Sequence, residues 1–197
     1  CRAVLRAAAE TERPVQLLLP MVTSVEQLHV LQQLIAAEQI KMELEPVPIG
    51  LLIQAPAAAV SAARFAREVD FLVLDADDLA QYSLVMDRHH PLLAAQIDVL
   101  DPAVLQLIGL AAEAARAQET PLTVSGVIAA DPQAIPLLIG LGVSGLNVNP
   151  PAISAVKARI RSLDQQTCQE LAQKAVAQDS ARQVRALIQG MTGQNVT

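Results

Sequence analysis

Five short apolar runs, each followed by an amphipathic stretch, restrict what this chain can fold into more than any other feature. The runs are 15–20 (VQLLLP), 49–53 (IGLLI), 71–74 (FLVL), 121–125 (PLTVS) and 143–148 (VSGLNV). They read as strands buried on both faces, not as half-exposed strands with a polar side. Helical spacing follows over 25–39, 57–68, 79–88, 102–118, 132–140 and 153–162. Strand and helix in regular alternation means a parallel sheet, hence an α/β fold. Three helix starts carry their own signals. Ser24 with Gln27 forms a capping box, and Asp101-Pro102 and Asp131-Pro132 each place an acidic cap before a proline at the first helical position. Residues 1–10 also read as helix, as does the polar stretch 165–189, and 189–197 has no periodicity and reads as a loose tail.

Composition narrows the class further. Of 197 residues 52% are apolar but only Phe65, Phe71 and Tyr82 are aromatic, so the core must be aliphatic, as in a buried parallel sheet covered by helices. The net charge of -6, with acids and bases interspersed, leaves no basic stripe for a nucleic acid backbone. Apolar stretches such as 135–143 are broken by Pro or Gly and fall short of the roughly 20 residues a membrane helix needs. No signal peptide is visible, and Cys1 and Cys168 lack metal-ligand spacing, so both read as reduced thiols of a cytoplasmic protein. A chain that opens inside a helix, on Cys1 and not Met, reads as part of something longer. An eight-stranded barrel normally needs about 250 residues, and the count of runs suits such a barrel lacking its first two strands. The polar residues gather just after the runs, at Thr23, Ser24, Gln54, Asp75 to Asp78, Ser125, Asn147 and Asn149. In barrels and open α/β sheets alike, that edge carries the site.

Four segments, 19–26 (LPMVTSVE), 49–59 (IGLLIQAPAAA), 69–82 (VDFLVLDADDLAQY) with Asp87 and Arg88, and 124–131 (VSGVIAAD), resemble in order and spacing the enzyme I family of the bacterial phosphotransferase system. That family is related to pyruvate phosphate dikinase and phosphoenolpyruvate synthase. The resemblance implies a (βα)8 TIM-type barrel that binds phosphoenolpyruvate (PEP) or pyruvate with Mg²⁺ and forms a homodimer. It also implies a separate N-terminal domain whose phosphohistidine passes phosphate to the carrier protein HPr. On this reading 1–163 is a partial PEP-binding barrel, 164–188 holds helices packed outside it, and 189–197 is the tail.

The same resemblance assigns the site and shows where this chain departs from it. Gln54 stands where the family has a Glu that binds Mg²⁺, and Asp78 matches its second metal ligand, Asp. Asp77 replaces a phosphate-contacting Asn, and Arg88 matches the arginine that grips phosphate. Ser125-Gly126-Val127 replaces Cys-Gly-Glu, whose Cys protonates the enolate carbon of pyruvate. A Gln amide offers Mg²⁺ an oxygen but no charge, so the metal should be weakened or absent. Asp77 sets a further carboxylate against an anionic substrate, while Asp75, Asp77 and Asp78 together could still hold a cation. Ser125 is a far weaker acid than a thiol.

Simpler roles stand beside these. Asp77 and Asp78 could cap the helix 79–88, and Arg88 could face that helix's C-terminal dipole. His89-His90 reads as an exposed loop, since adjacent histidines point apart. Ser125-Gly126 lacks the context of a nucleophile elbow, and Asn147 and Asn149 could face the mouth or cap the next helix. Three functions are therefore in play: the substrate domain of a PEP-dependent phosphotransferase with an impaired site, an inactive scaffold or ligand-sensing barrel, and a pyruvate-handling lyase.

Overall fold

A computed structural model describes residues 1–11 and 14–192. Among them five strands form one parallel sheet in sequential order: β1 (Leu17–Leu19), β2 (Ile49–Ile53), β3 (Phe71–Asp75), β4 (Leu122–Ser125) and β5 (Gly145–Leu146). Each crossover is helical: α2 (Val25–Lys41), then α3 (Pro56–Val60) and α4 (Ala62–Phe65), then α5 (Ala76–Leu84) and α6 (Pro102–Ala117), then α7 (Ile135–Gly140). α1 (Arg2–Glu10) precedes the sheet, and α8 (Ile153–Arg161), α9 (Gln165–Val176) and α10 (Ala181–Thr192) follow it. A sequential parallel order has no topological switch point, so the winding is that of a barrel arc. The described strands number five, where a barrel lacking two would show six. α10 carries the chain helically to Thr192, through the first part of the expected tail, and residues 193–197 lie outside the described residues.

The buried layer follows the aliphatic composition. Leu51, Leu72 and Leu122 lie in register across β2, β3 and β4, and Ile53, Leu74 and Val124 form the next buried row. Leu105 and Ile108 of α6 and Phe65 of α4 close over them. Each such side chain contributes about 1.5–3 kcal/mol by leaving water. One step beyond that row the register brings Gln54, Asp75, Ser125 and Asn147 level with one another at the carboxyl edge. The fold thus turns four distant stretches of chain into one polar rim.

Several boundaries differ from the sequence expectation for identifiable reasons. The helix expected over 57–68 is interrupted at Ser61 (φ -91, ψ 6), a residue type that competes with helical backbone bonding, and it stops at Phe65. The one expected over 79–88 begins at Ala76 because the Asp75 carboxylate accepts the Asp78 N–H at 3.0 Å, and it stops when Val85 turns left-handed (φ 55). At Asp131-Pro132 the first helical bond, from Ile135 N–H to the Asp131 carbonyl, does form (3.0 Å). Pro136 has no N–H for the Pro132 carbonyl, which takes Arg159 Nε instead at 3.2 Å, so regular helix starts only at Ile135. The Ser24–Gln27 capping box and the Asp101 cap of α6 are both present.

Candidate functional site

α5 sets the site. Its cap is Asp75, so Asp77 and Asp78 sit inside the first turn, near the positive end of the helix, and neither is the cap itself. Asp78 is mostly enclosed, and both its oxygens are engaged. Arg88 Nη1 lies 2.7 Å from Oδ1, and Gln54 Nε2 donates to Oδ2 at 2.5 Å. Arg88 therefore does not face the helix C-terminus. The left-handed turn at Val85 sends the chain back, and Gln81 Oε1 accepts the Arg88 N–H at 3.1 Å, which returns the guanidinium toward the helix start.

Gln54 is held from both sides. Its Oε1 accepts the Met21 N–H at 3.0 Å while its amide nitrogen serves Asp78. A backbone N–H can only donate and a carboxylate can only accept, so these neighbours determine which way the amide points. Gln54 thus ties the ends of β1, β2 and β3 together. Met21 sits in the left-handed region (φ 59), an uncommon place for a residue with a side chain, and the Gln54 bond is one contact that keeps it there.

Asp77 turns the other way, toward β4. Its Oδ2 accepts the Val127 N–H at 3.1 Å, and its carboxyl group lies 3.0–3.1 Å from where a Cβ on Gly126 would sit. Gly126 has φ 103, so the close approach and the backbone angle both require glycine. Partial burial pushes the Asp77 carboxyl above the usual range. The Val127 N–H draws it down, Asp75 raises it, Arg88 lowers it and Asp78 raises it again. Asp77, Ser125, Gly126, Val127, Asn147 and Asn149 line an open cleft of about 550 Å³ with no Lys, Arg or His in its wall. Both asparagines border this cleft, and the Asn149 side chain does not cap the short helical turn that follows it. The Ser125 hydroxyl donates to the Leu74 carbonyl at 3.3 Å, so its proton is directed into the sheet.

The donors that the resemblance assigns to Mg²⁺ are engaged with other groups of the protein. The Gln54 oxygen already receives Met21, and the Asp78 oxygens already receive Gln54 and Arg88. Of the three aspartates that could together hold a cation, Asp75 spends Oδ1 on its helix cap, and Asp77 points across at Val127. Among the described residues no group of three or more His, Cys, Asp or Glu is placed to hold a metal ion. His89 and His90 occupy an exposed turn, where the His89 N–H bonds Asp87 and His90 Nδ1 accepts from Leu92. Cys1 is exposed and Cys168 buried, both unpaired, and burial raises the Cys168 thiol. No helix is long and apolar enough to cross a membrane among the described residues.

Residues 1–165 match the family model described as PEP-utilising enzyme, PEP-binding domain. The chain belongs to that family. Its relatives include a multiphosphoryl transfer protein of Xanthomonas campestris, 41% identical over 193 residues, covering 98% of this chain and 23% of the relative. One from Rhodobacter capsulatus is 39% identical and covers 94% and 22%. A protein named for the phosphoenolpyruvate-dependent phosphotransferase system in Salmonella typhimurium is 32% identical and covers 93% and 25%. The chain therefore spans about a quarter of the length of these relatives. Among solved structures, a citrate lyase from Burkholderia xenovorans aligns over 100% of this chain and 68% of its own, with a TM-score of 0.61 at 19% identity, a likeness of fold alone. RipC from Yersinia pestis aligns over 83% and 72% with a TM-score of 0.54 at 16% identity.

Within this PEP-binding domain, the residues that sequence reasoning had not placed at the site are Met21, through its backbone, and Gln81. Neither has a chemical signature in the sequence, because one acts through its N–H and the other as a brace for the loop. Asp75 was part of the acidic group, but its capping role depends on where α5 begins.

Proposed function

We propose that this chain is the PEP-binding and dimerisation domain of an enzyme I-like phosphotransferase, carried in a multiphosphoryl transfer protein, with an impaired active site. The observation that carries this reading is the match of the PEP-binding domain over 1–165 together with 41% identity to a multiphosphoryl transfer protein along 98% of the chain. In such a protein phosphate passes from PEP to a histidine on another domain and on to HPr, in the cytoplasm, in the service of sugar transport. The sequential parallel arc supports a barrel in which 1–163 supplies five of eight strands, three others coming from the rest of the parent, and 164–188 packs outside.

The impairment follows from the chemistry of the rim. Mg²⁺, when bound by the family, neutralises the substrate's charge, and here Asp78 is already taken by Arg88 and Gln54. Arg88 is the group this reading assigns to the phosphoryl oxygens. Ser125 stands where an enolate would need a proton donor, yet a hydroxyl is a weak acid and this one donates to Leu74. The lack of any cation in the wall of the adjoining cleft favours a second reading, an inactive scaffold or ligand-sensing barrel. The lyase reading has only the fold likeness behind it.

Calorimetry with PEP, with and without Mg²⁺, on the full-length protein, paired with an assay of phosphate transfer to HPr, tests this. Weak, metal-insensitive binding without transfer supports the impaired domain. Micromolar, Mg²⁺-dependent binding together with transfer refutes the impairment, and no PEP binding leaves the scaffold reading in its place.

A further inference from the structure

Arg88 is engaged before any ligand arrives. Its guanidinium meets Asp78 at 2.7 Å, Gln54 holds the other Asp78 oxygen at 2.5 Å, and Met21 holds Gln54. The exposures are unequal: the Arg88 side chain is 41% exposed and that of Asp78 only 13%. The arginine can therefore swing out toward a ligand, while the aspartate stays where the latch holds it. We propose that Asp78 is an autoinhibitory carboxylate, an internal stand-in for the oxyanion of a ligand, latched onto Arg88 by Gln54. A phosphate- or carboxylate-bearing ligand has to displace Asp78 from Arg88, and a divalent cation has no part in that exchange.

This rests on the reading above that the mouth takes an oxyanion, but it reverses the role that the family resemblance implies for Asp78. A metal ligand helps an anionic substrate bind, whereas a competitor hinders it. Removing the Asp78 charge should therefore strengthen oxyanion binding. Asp78→Asn suits the test because its amide oxygen still accepts from Gln54 and the latch geometry survives. Asp87→Asn removes an equal charge next to Arg88 in sequence, where the carboxylate serves the His89 N–H, and so reports the general effect of net charge.

The experiment is calorimetry of inorganic phosphate and of PEP on the full-length protein, first in EDTA and then with Mg²⁺, for wild type, Asp78→Asn, Asp87→Asn, Arg88→Ala and the double variant Asp78→Asn with Arg88→Ala. Asp78→Asn is expected to bind phosphate about fivefold tighter, the equivalent of one partly exposed ion pair released, and Mg²⁺ is expected to change nothing. Asp87→Asn should shift affinity by less than about twofold, because an exposed charge is screened, and Arg88→Ala should abolish the gain when combined with Asp78→Asn. Equal or weaker binding by Asp78→Asn overturns the proposal, and so does the absence of oxyanion binding in every variant. Phosphate tightening without any PEP binding would uphold the latch and sink the PEP reading. Mg²⁺-dependent PEP binding that Asp78→Asn loses would do the reverse. A further measurement needs no variant: the guanidinium ¹⁵N resonances of Arg88 in the wild type should move on phosphate addition, and their failure to move at saturation overturns the proposal.

Discussion

Gln54→Glu tests the latch most directly, because it changes one atom type at the junction of three strand ends. The new carboxylate can still accept the Met21 N–H, but where Nε2 donated to Asp78 at 2.5 Å there would be an oxygen facing an oxygen. Two unit charges about 3 Å apart repel by about 5 kcal/mol at an effective dielectric near 20. Binding a proton between them is cheaper: holding a Glu of ordinary pKa near 4.3 protonated at pH 7 costs about 3.7 kcal/mol. The lower figure sets the ceiling, and Arg88 beside Asp78 reduces it further, so a loss of about 2–3 kcal/mol at pH 7 is expected. The sign follows from linkage. The introduced glutamate would have its folded pKa raised, so the loss is absent below the unfolded value of about 4.3 and grows by up to about 1.4 kcal/mol per pH unit above it. Urea unfolding in EDTA at pH 7 and pH 5 reads both magnitude and slope. Adding Asp78→Asn should restore most of the loss, since the amide it introduces can donate to the new carboxylate. Unchanged stability at pH 7, or an equal loss at pH 5, would refute the Gln54–Asp78 contact.

Gly140→Ala would put a Cβ 2.0 Å from the Cys168 carbonyl oxygen, where α7 and α9 touch backbone to backbone. Urea unfolding should show a loss of about 2 kcal/mol or more, despite the roughly 1 kcal/mol that Ala gains over Gly in a helix; a neutral or stabilised variant would show that the helices lie further apart. Arg185→Ala should cost about 1 kcal/mol, since Arg185 grips Asp98 with two bonds of 2.7 and 2.8 Å. Burial alone would raise Asp98, but Arg185 and the Leu100 N–H outweigh it and hold the carboxyl below its ordinary value. The pair's contribution is thus present above the unfolded value of about 3.9 and lost as pH falls through the lower folded value. The difference between wild type and variant, followed by urea unfolding from pH 7 downward, should stay level and then close only below about pH 4; one that closes near neutral pH would assign it to another group.

What the sequence by itself determined was the kind of fold, and its resemblance to a known family supplied the residues proposed for the site. Aliphatic runs with few aromatics required a parallel sheet, because only burial on both faces suits strands such as 49–53 and 71–74. Ser24 with Gln27, and Asp101-Pro102, marked helix starts because a cap acts within four residues of chain. The resemblance of the ordered motifs to the enzyme I family is what pointed to Gln54, Asp77, Asp78, Arg88 and Ser125. Tertiary structure alone decided what those residues do to one another. Arg88 meets Asp78 only because Val85 turns left-handed and reverses the chain, and Gln54 meets Met21 and Asp78 only because parallel register brings three strand ends level. Asp77 turns away from Asp78 toward the Val127 N–H because adjacent residues on a helix point in different directions. Spacing along the chain carries which groups are present. The balance between a charge, its partner and the water removed from both is settled at hydrogen-bonding distance in space, between residues as many as 87 positions apart.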